Sequence, residues 1–180
     1  MRLYLVRHAA VVVRPETSSR HWHLSPEGRA AAEALAREPY WPSIALVYSS
    51  AEVKAIATAQ RIAAPHELAI RIERALGEVE RPWTNAVYED LVRRYLAGEP
   101  VEGWEPRDAA LGRVRSCIDA IVTIGEDAAV VSHGLALTLY VSDLLDLDAD
   151  ASYELWRSIR FPDVAIVDPQ ARRAEKAFGP

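Results

Sequence analysis

The chain has 180 residues, of which 50% are hydrophobic and 26% are charged, and its formal net charge is −5. A single domain of this size buries about 70% of the surface of its unfolded chain, so it needs no disulfide or metal for stability. The composition is that of a globular protein and excludes a disordered or collagen-like chain. The acidic excess argues against nucleic acid as a partner, but it is compatible with a small cationic pocket for an anionic ligand.

The sequence shows neither a membrane segment nor a disulfide framework. No apolar run reaches the ~18 residues that cross a bilayer, and Met1 and Arg2 lead directly into a short strand-like run instead of a signal peptide. Cys117 is the single cysteine, and its apolar neighbours at helical spacing predict a position in the core. We expect a cytoplasmic protein with no membrane partner.

Apolar runs rich in β-branched residues predict the buried strands of a sheet. In chain order, these runs are residues 2–6, 45–48, 69–76, 128–132 and 164–167. Helical patterns lie between or after them, at residues 28–37 (following the N-cap Ser25), 53–64, 85–97, 106–124 and 135–145. Strands that alternate with helices predict a three-layer α/β/α sandwich with a mostly parallel central sheet.

Two segments depart from this alternation. Residues 81–107, rich in proline and tryptophan, are predicted to form a lid-like insertion over one end of the sheet. The insertion is too short for a second domain, so residues 1–180 are predicted to form one domain. The charged residues 168–176 predict a solvated edge strand or the end of a hairpin, and an exposed sheet edge near the C-terminus can support a homodimer.

Polar residues follow the predicted strands at the points where the strands end. Ligands of open α/β sheets bind beyond the carboxyl ends of the parallel strands. The residues at these ends are His8, Ser49, Ser50, Glu78 and His133, and Lys54 comes about one helical turn after Ser50. If these strands are parallel, two histidines, a lysine and a carboxylate gather at one edge of the sheet.

Such a set of side chains suits a tetrahedral oxyanion, and phosphate is the obvious candidate. An imidazole can attack phosphorus and hold the phosphoryl group, which divides one difficult hydrolysis into two easier steps. A carboxylic acid would then protonate the leaving oxygen. Beside a bound phosphate, a partly buried glutamate such as Glu78 is expected to have a raised pKa, which suits that role.

The segment Leu5-Val6-Arg7-His8-Ala9 resembles the Arg-His-Gly/Ala signature of the histidine phosphatase superfamily, the phosphoglycerate mutase-like proteins. Further segments resemble other blocks of that family, in the family's order. They are Leu24-Ser25-Pro26-Glu27-Gly28, Tyr48-Ser49-Ser50 with Ala55, Thr58 and Ala59, Leu76-Gly77-Glu78, and Val130-Val131-Ser132-His133-Gly134. The resemblance covers most of the chain and implies the family's α/β fold.

The resemblance also implies roles for individual residues. It makes His8 the phosphorylated nucleophile, Arg7 and His133 phosphate ligands, and Glu78 the proton donor. The family's second arginine falls at Lys54, which keeps the positive charge but loses the bidentate geometry of a guanidinium.

Two further segments differ from the family. The stretch that follows the acid is altered to Glu80-Arg81-Pro82-Trp83, so Glu80 remains the alternative acid. After His8, the chain has apolar Ala10-Val11-Val12-Val13 in place of polar residues, and the missing donors can come from Arg14, Arg20, His21 or His23. The spacing of His21 and His23 permits zinc binding, but no third ligand lies nearby in sequence, and the expected chemistry needs no metal or cofactor.

The resemblance therefore predicts a metal-independent phosphatase that acts on a small phosphorylated substrate. Two alternatives stay open, namely phosphoryl transfer of the phosphoglycerate mutase type and a degenerate member that binds phosphorylated ligands without turnover. Family members that act as mutases tend to have longer insertions, which favours the phosphatase at 180 residues.

Overall fold

The computed structural model describes residues 1–84 and 86–179. Within this part of the chain, six strands form one sheet in the order β3-β2-β4-β1-β5-β6. Their bounds are β1 (Leu3–Arg7), β2 (Leu46–Ser49), β3 (Ile70–Ile72), β4 (Ala128–Ser132), β5 (Asp163–Asp168) and β6 (Arg173–Lys176). Strands β1 to β4 run parallel, whereas β5 is antiparallel to β1 and β6 is antiparallel to β5. The predicted mostly parallel sheet is confirmed.

Helices cover both faces of this sheet. They are α1 (Pro26–Leu35), α2 (Val53–Ala63), α3 (Tyr88–Leu96), α4 (Arg107–Val122), α5 (Gly134–Leu145) and α6 (Ala149–Ser158). The predicted cap of α1 is present, since the Ser25 hydroxyl accepts the N–H of Gly28 at 3.0 Å. None of the described helices combines the length and apolar character needed to cross a membrane.

Alternating side chains of β1 separate two apolar cores. Leu3 and Leu5 pack into the cluster formed with α4 and α5, whereas Tyr4 and Val6 pack into the cluster formed with α2 and the buried Trp41. This alternation is the period of two that a strand buried on both faces requires. The three-layer sandwich is therefore present as predicted.

The structure corrects two of the sequence predictions. The strand predicted at 69–76 is only β3, and a turn at Arg74–Leu76 follows it and directs Leu76 into the main core. Helix α6 was not predicted, because its sequence is mostly polar and buries only Ser152 and Tyr153. The helix predicted at 85–97 is α3, and its predicted first residue, Asn85, lies outside the described residues.

The segment 81–107 packs through α3 and Trp104 on α5 and α6, in a third apolar cluster. It thus lies beside the carboxyl end of the sheet. Cys117 is half-buried at the edge of the main core, and burial raises the pKa of its thiol to about 11. The charged tail forms the exposed edge strand β6, as predicted.

Candidate active site

The carboxyl ends of β1, β2 and β4 bring together His8 and His133, the two histidines that were predicted to belong to the site. Arg7 pairs with Ser132 in the register of β1 and β4, and the N–H of His8 donates to the Ser132 carbonyl at 3.0 Å. The chain then leaves both strands, which places the ring centroids of His8 and His133 5.1 Å apart. Both side chains are buried.

The hydrogen bond made by His8 fixes the tautomer of its ring. Nδ1 lies 2.8 Å from the Ala9 carbonyl, which can only accept, so Nδ1 carries the proton and Nε2 keeps its lone pair. Burial, together with the neighbouring His133 and Lys54, holds the pKa of His8 well below its ordinary range. His8 is therefore a neutral imidazole with a nucleophilic nitrogen at Nε2.

His133 is bound on one side of its ring. Its Nε2 lies 2.7 Å from the Ser50 hydroxyl, and its Nδ1 is buried without a hydrogen-bond partner among the described residues. Burial, and to a lesser degree Lys54, lowers the pKa of His133 to about 3. An unpaired buried nitrogen is uncommon, and it marks a position where a polar atom of a ligand can be bound.

Arg7 is held by its neighbours on two sides. Its Nη1 donates to the Ile159 carbonyl at 2.6 Å, and its guanidinium lies 3.4 Å from the ring centroid of Phe161. Burial lowers the pKa of Arg7 to about 10, so it remains a cation at neutral pH. Its Nε is also buried without a partner within the described chain. A Cβ at Gly134 would lie 3.1 Å from Nη2, so a larger residue there would push the guanidinium by a few tenths of an ångström.

Lys54 contacts a residue that the sequence analysis missed. Its Nζ forms a buried ion pair with the carboxylate of Glu52 and donates to the Ser19 carbonyl at 2.8 Å. The same carboxylate lies 3.5 Å from His133 Nε2 through its Oε1. A single glutamate two residues before a predicted cation is ordinary in a surface helix, so the sequence carried no signal of its burial.

The carboxylate of Glu78 lies at the N-terminus of α5. It accepts the N–H groups of Val79 and Ala136 at 3.0 Å each, and that of Leu135 at 3.3 Å. The raised pKa expected for Glu78 is not found in this structure. Burial alone would raise the pKa, but Arg81, His133 and the Val79 N–H together lower it below its ordinary value.

A second arginine supports the loop that carries Glu78. Arg113 on α4 donates to the carbonyls of Ala75 at 2.7 Å, Gly77 at 2.8 Å and Glu78 at 3.0 Å. Its guanidinium also forms two hydrogen bonds of 2.8 Å with the carboxylate of Glu105. In the sequence, Arg113 is one of several charged residues of a helix, and only the folded chain places it against the loop.

Glu80, the alternative acid, is exposed and forms an ion pair with Arg20. It lines the same cavity of about 590 Å³ as Glu52 and Glu78. A second cavity of about 480 Å³ adjoins the first at Ser18, Ser19 and Arg81, and it is lined by Trp22, Trp83 and Tyr88. Among the described residues, His21 and His23 belong to no group of three side chains that could hold a metal ion.

The family model of the histidine phosphatase superfamily (branch 1) matches residues 3–167. The chain therefore belongs to this superfamily, as its motifs predicted. No curated protein sequence matches the chain.

Solved structures agree with this assignment. A mycobacterial glucosyl-3-phosphoglycerate phosphatase, solved as a complex with VO3, has a TM-score of 0.79 and 20% identity, with 99% of each chain covered. The α-ribazole phosphatase of Shigella flexneri has a TM-score of 0.73 and 21% identity, and the match covers 100% of this chain and 99% of that one. At these identities the likeness shows the phosphoglycerate mutase-like fold.

Proposed function

We propose that the protein hydrolyses phosphate monoesters through a phosphohistidine at His8, without a metal ion, and that its partner is a small phosphorylated molecule. One observation carries the proposal. Neutral His8 has its Nδ1 proton bound to the Ala9 carbonyl, which leaves the lone pair of Nε2 free to attack, and the ring of buried His133 is centred 5.1 Å from that of His8. Superfamily membership and the two phosphatases of like fold support the same activity.

In the first step, Nε2 of His8 attacks phosphorus and forms an N–P bond while the ester P–O bond breaks. Arg7, Lys54 and the unpaired Nδ1 of His133 are the proposed ligands of the phosphoryl oxygens. Protonated Glu78 gives its proton to the departing alkoxide. The negative charge of a bound phosphate raises the pKa of a neighbouring carboxyl, which opposes the lowering by Arg81 and His133.

In the second step, the Glu78 carboxylate accepts a proton from water as the water oxygen attacks phosphorus. The N–P bond breaks, inorganic phosphate leaves, and His8 returns to its neutral form. Glu78 is thereby protonated again for the next turnover. The two adjoining cavities near Arg81 provide space for the leaving group.

One observation favours the non-catalytic alternative, because Glu52 neutralises the cation Lys54 on which phosphate binding depends. Such a protein would bind phosphorylated ligands and release no phosphate. A mutase would instead return the phosphoryl group to another hydroxyl and yield an isomer. Product analysis separates these activities from hydrolysis.

The test is phosphate release from an aryl phosphate, with a chelator present, for the wild type and His8→Ala. We expect activity in the wild type and a loss of at least about 10³-fold in the variant, because no other group replaces the nucleophile. Denaturation at alkaline pH during turnover should trap the phosphoryl group on His8, detected by mass spectrometry, because the N–P bond of phosphohistidine is labile in acid and stable in base. Equal activity in both proteins would exclude the proposed mechanism, and phosphate binding without turnover would favour the non-catalytic alternative.

A further inference from the structure

We infer that the Glu52 carboxylate competes with the substrate phosphate for Lys54, and so sets the affinity of the site for oxyanions. The inference rests on the phosphate site of the proposed function. It assigns to Glu52 the role of a residue that determines binding, not one that takes part in the chemical steps.

The contacts of Glu52 connect the proposed phosphate ligand Lys54 with the loop that bears Glu78. Its Oε2 forms the ion pair with Lys54, and its Oε1 lies 3.5 Å from Nε2 of His133. Oε1 also accepts the N–H of Glu78 at 2.9 Å. The carboxylate thus occupies the ammonium group that the proposed function assigns to a phosphoryl oxygen.

Burial gives this contact its strength. The side chains of Glu52 and Lys54 are only 7% and 6% exposed, so solvent screens their charges weakly. The ammonium group of a lysine has three N–H donors, and Glu52 and the Ser19 carbonyl engage two of them. A dianionic phosphate that binds Lys54 must therefore displace the carboxylate or share the cation with it.

Glu52 also contributes to the structure of the loop, and the variants must separate that contribution from its charge. Glu52→Gln is nearly isosteric and keeps an oxygen that can accept the N–H of Glu78, while it removes the negative charge facing Lys54. Glu80→Gln is the matched control, because Glu80 lines the same cavity but pairs with Arg20 at the surface.

The experiment measures the dissociation constant of inorganic phosphate by calorimetry at about 0.15 M salt, where surface charges are screened beyond about 8 Å. We expect Glu52→Gln to bind phosphate about tenfold more tightly than the wild type, equivalent to about 1.4 kcal/mol. Glu80→Gln should change the affinity by less than about twofold, because its ion pair is exposed. In a Lys54→Met background, Glu52→Gln should lose most of its effect.

Unchanged or weaker phosphate binding by Glu52→Gln would overturn the inference, and so would an equal gain in the Lys54→Met background. Glu52→Met, which also lacks the charge, provides the same comparison if the glutamine variant does not fold. The outcome is separable from that of the proposed function. Tighter binding in a protein without turnover would support the inference and overturn the phosphatase, whereas His8-dependent turnover with unchanged binding would do the reverse.

Discussion

The candidate site has two sides that differ in how their polar groups are paired. On the histidine side, formed by Arg7, His8 and His133, buried nitrogens of Arg7 and His133 have no partner within the described chain. On the carboxylate side, formed by Glu52, Lys54 and Glu78, each charged group already has partners within the protein. The unpaired nitrogens of the histidine side can therefore bind an anion directly, whereas on the carboxylate side an anion must compete with Glu52.

The comparison connects stability with binding. Unpaired buried groups cost folding free energy, so the histidine side is built at the expense of stability. On the carboxylate side, the charged groups are paired within the protein. This pairing lowers the affinity of the site for a ligand and not the stability of the fold. Three perturbations, ordered by the size of the expected effect, test this division.

The largest effect is expected from Glu78→Gln, which removes the proton donor of the carboxylate side. We expect kcat for an alkyl phosphate to fall by about 10² to 10⁴-fold, the range typical of a lost general acid. An aryl phosphate, whose leaving group needs less protonation, should lose less. The measurement is the ratio of the two kcat values in both proteins. If Glu80→Gln instead gives this pattern, Glu80 is the acid.

An intermediate effect is expected from pH on the histidine side. The folded pKa of His133, about 3, lies below its unfolded value of 6.5, so the unfolded state binds the proton first. Stability from this residue is complete above about pH 6.5 and is lost progressively as pH falls toward the folded value. Between pH 7 and pH 5 the free energy of unfolding should drop by about 2 kcal/mol from His133 alone.

Urea unfolding at the two pH values provides the measurement, with His133→Gln as the matched variant. Because glutamine does not titrate, the variant should lose about 2 kcal/mol less than the wild type over the same interval. An identical loss in both proteins would show that the burial of His133 does not govern acid stability.

The smallest effect is expected from Lys54→Arg, which restores the residue typical of the family. A guanidinium can bind two oxygens of a phosphate at once. In the single variant, however, the Glu52 carboxylate is still present and occupies both of these contacts. We expect KM for an aryl phosphate to change by less than about threefold, and to fall about tenfold in the Glu52→Gln background. A large gain in the single variant would show that Glu52 does not compete for this cation.

Much of the fold follows from local sequence. The alternation of apolar strands with helices predicted the sheet and its covering layers, and Ser25 before Pro26 predicted the start of α1. The strand at 69–76 was predicted too long, because the apolar Ala75 and Leu76 come shortly after β3 in the sequence while the chain turns to bury Leu76. Helix α6 escaped prediction, because few of its side chains are buried.

The residues of the candidate site also divide into those that local sequence predicted and those that only the folded chain revealed. Motifs at strand ends are local, so the sequence by itself determined the superfamily and predicted that Arg7, His8, Lys54, Glu78 and His133 gather at one edge of the sheet. The roles of Glu52, Arg113 and Phe161 were decided only by the tertiary structure, because Arg113 and Phe161 contact groups distant in the chain, and the pair of Glu52 with nearby Lys54 depends on burial by the fold. Arg113 reaches carbonyls 35 to 38 residues away, and Phe161 lies over Arg7 from beyond α6. Burial and charge pairing are properties of packed neighbours, and no local spacing encodes them.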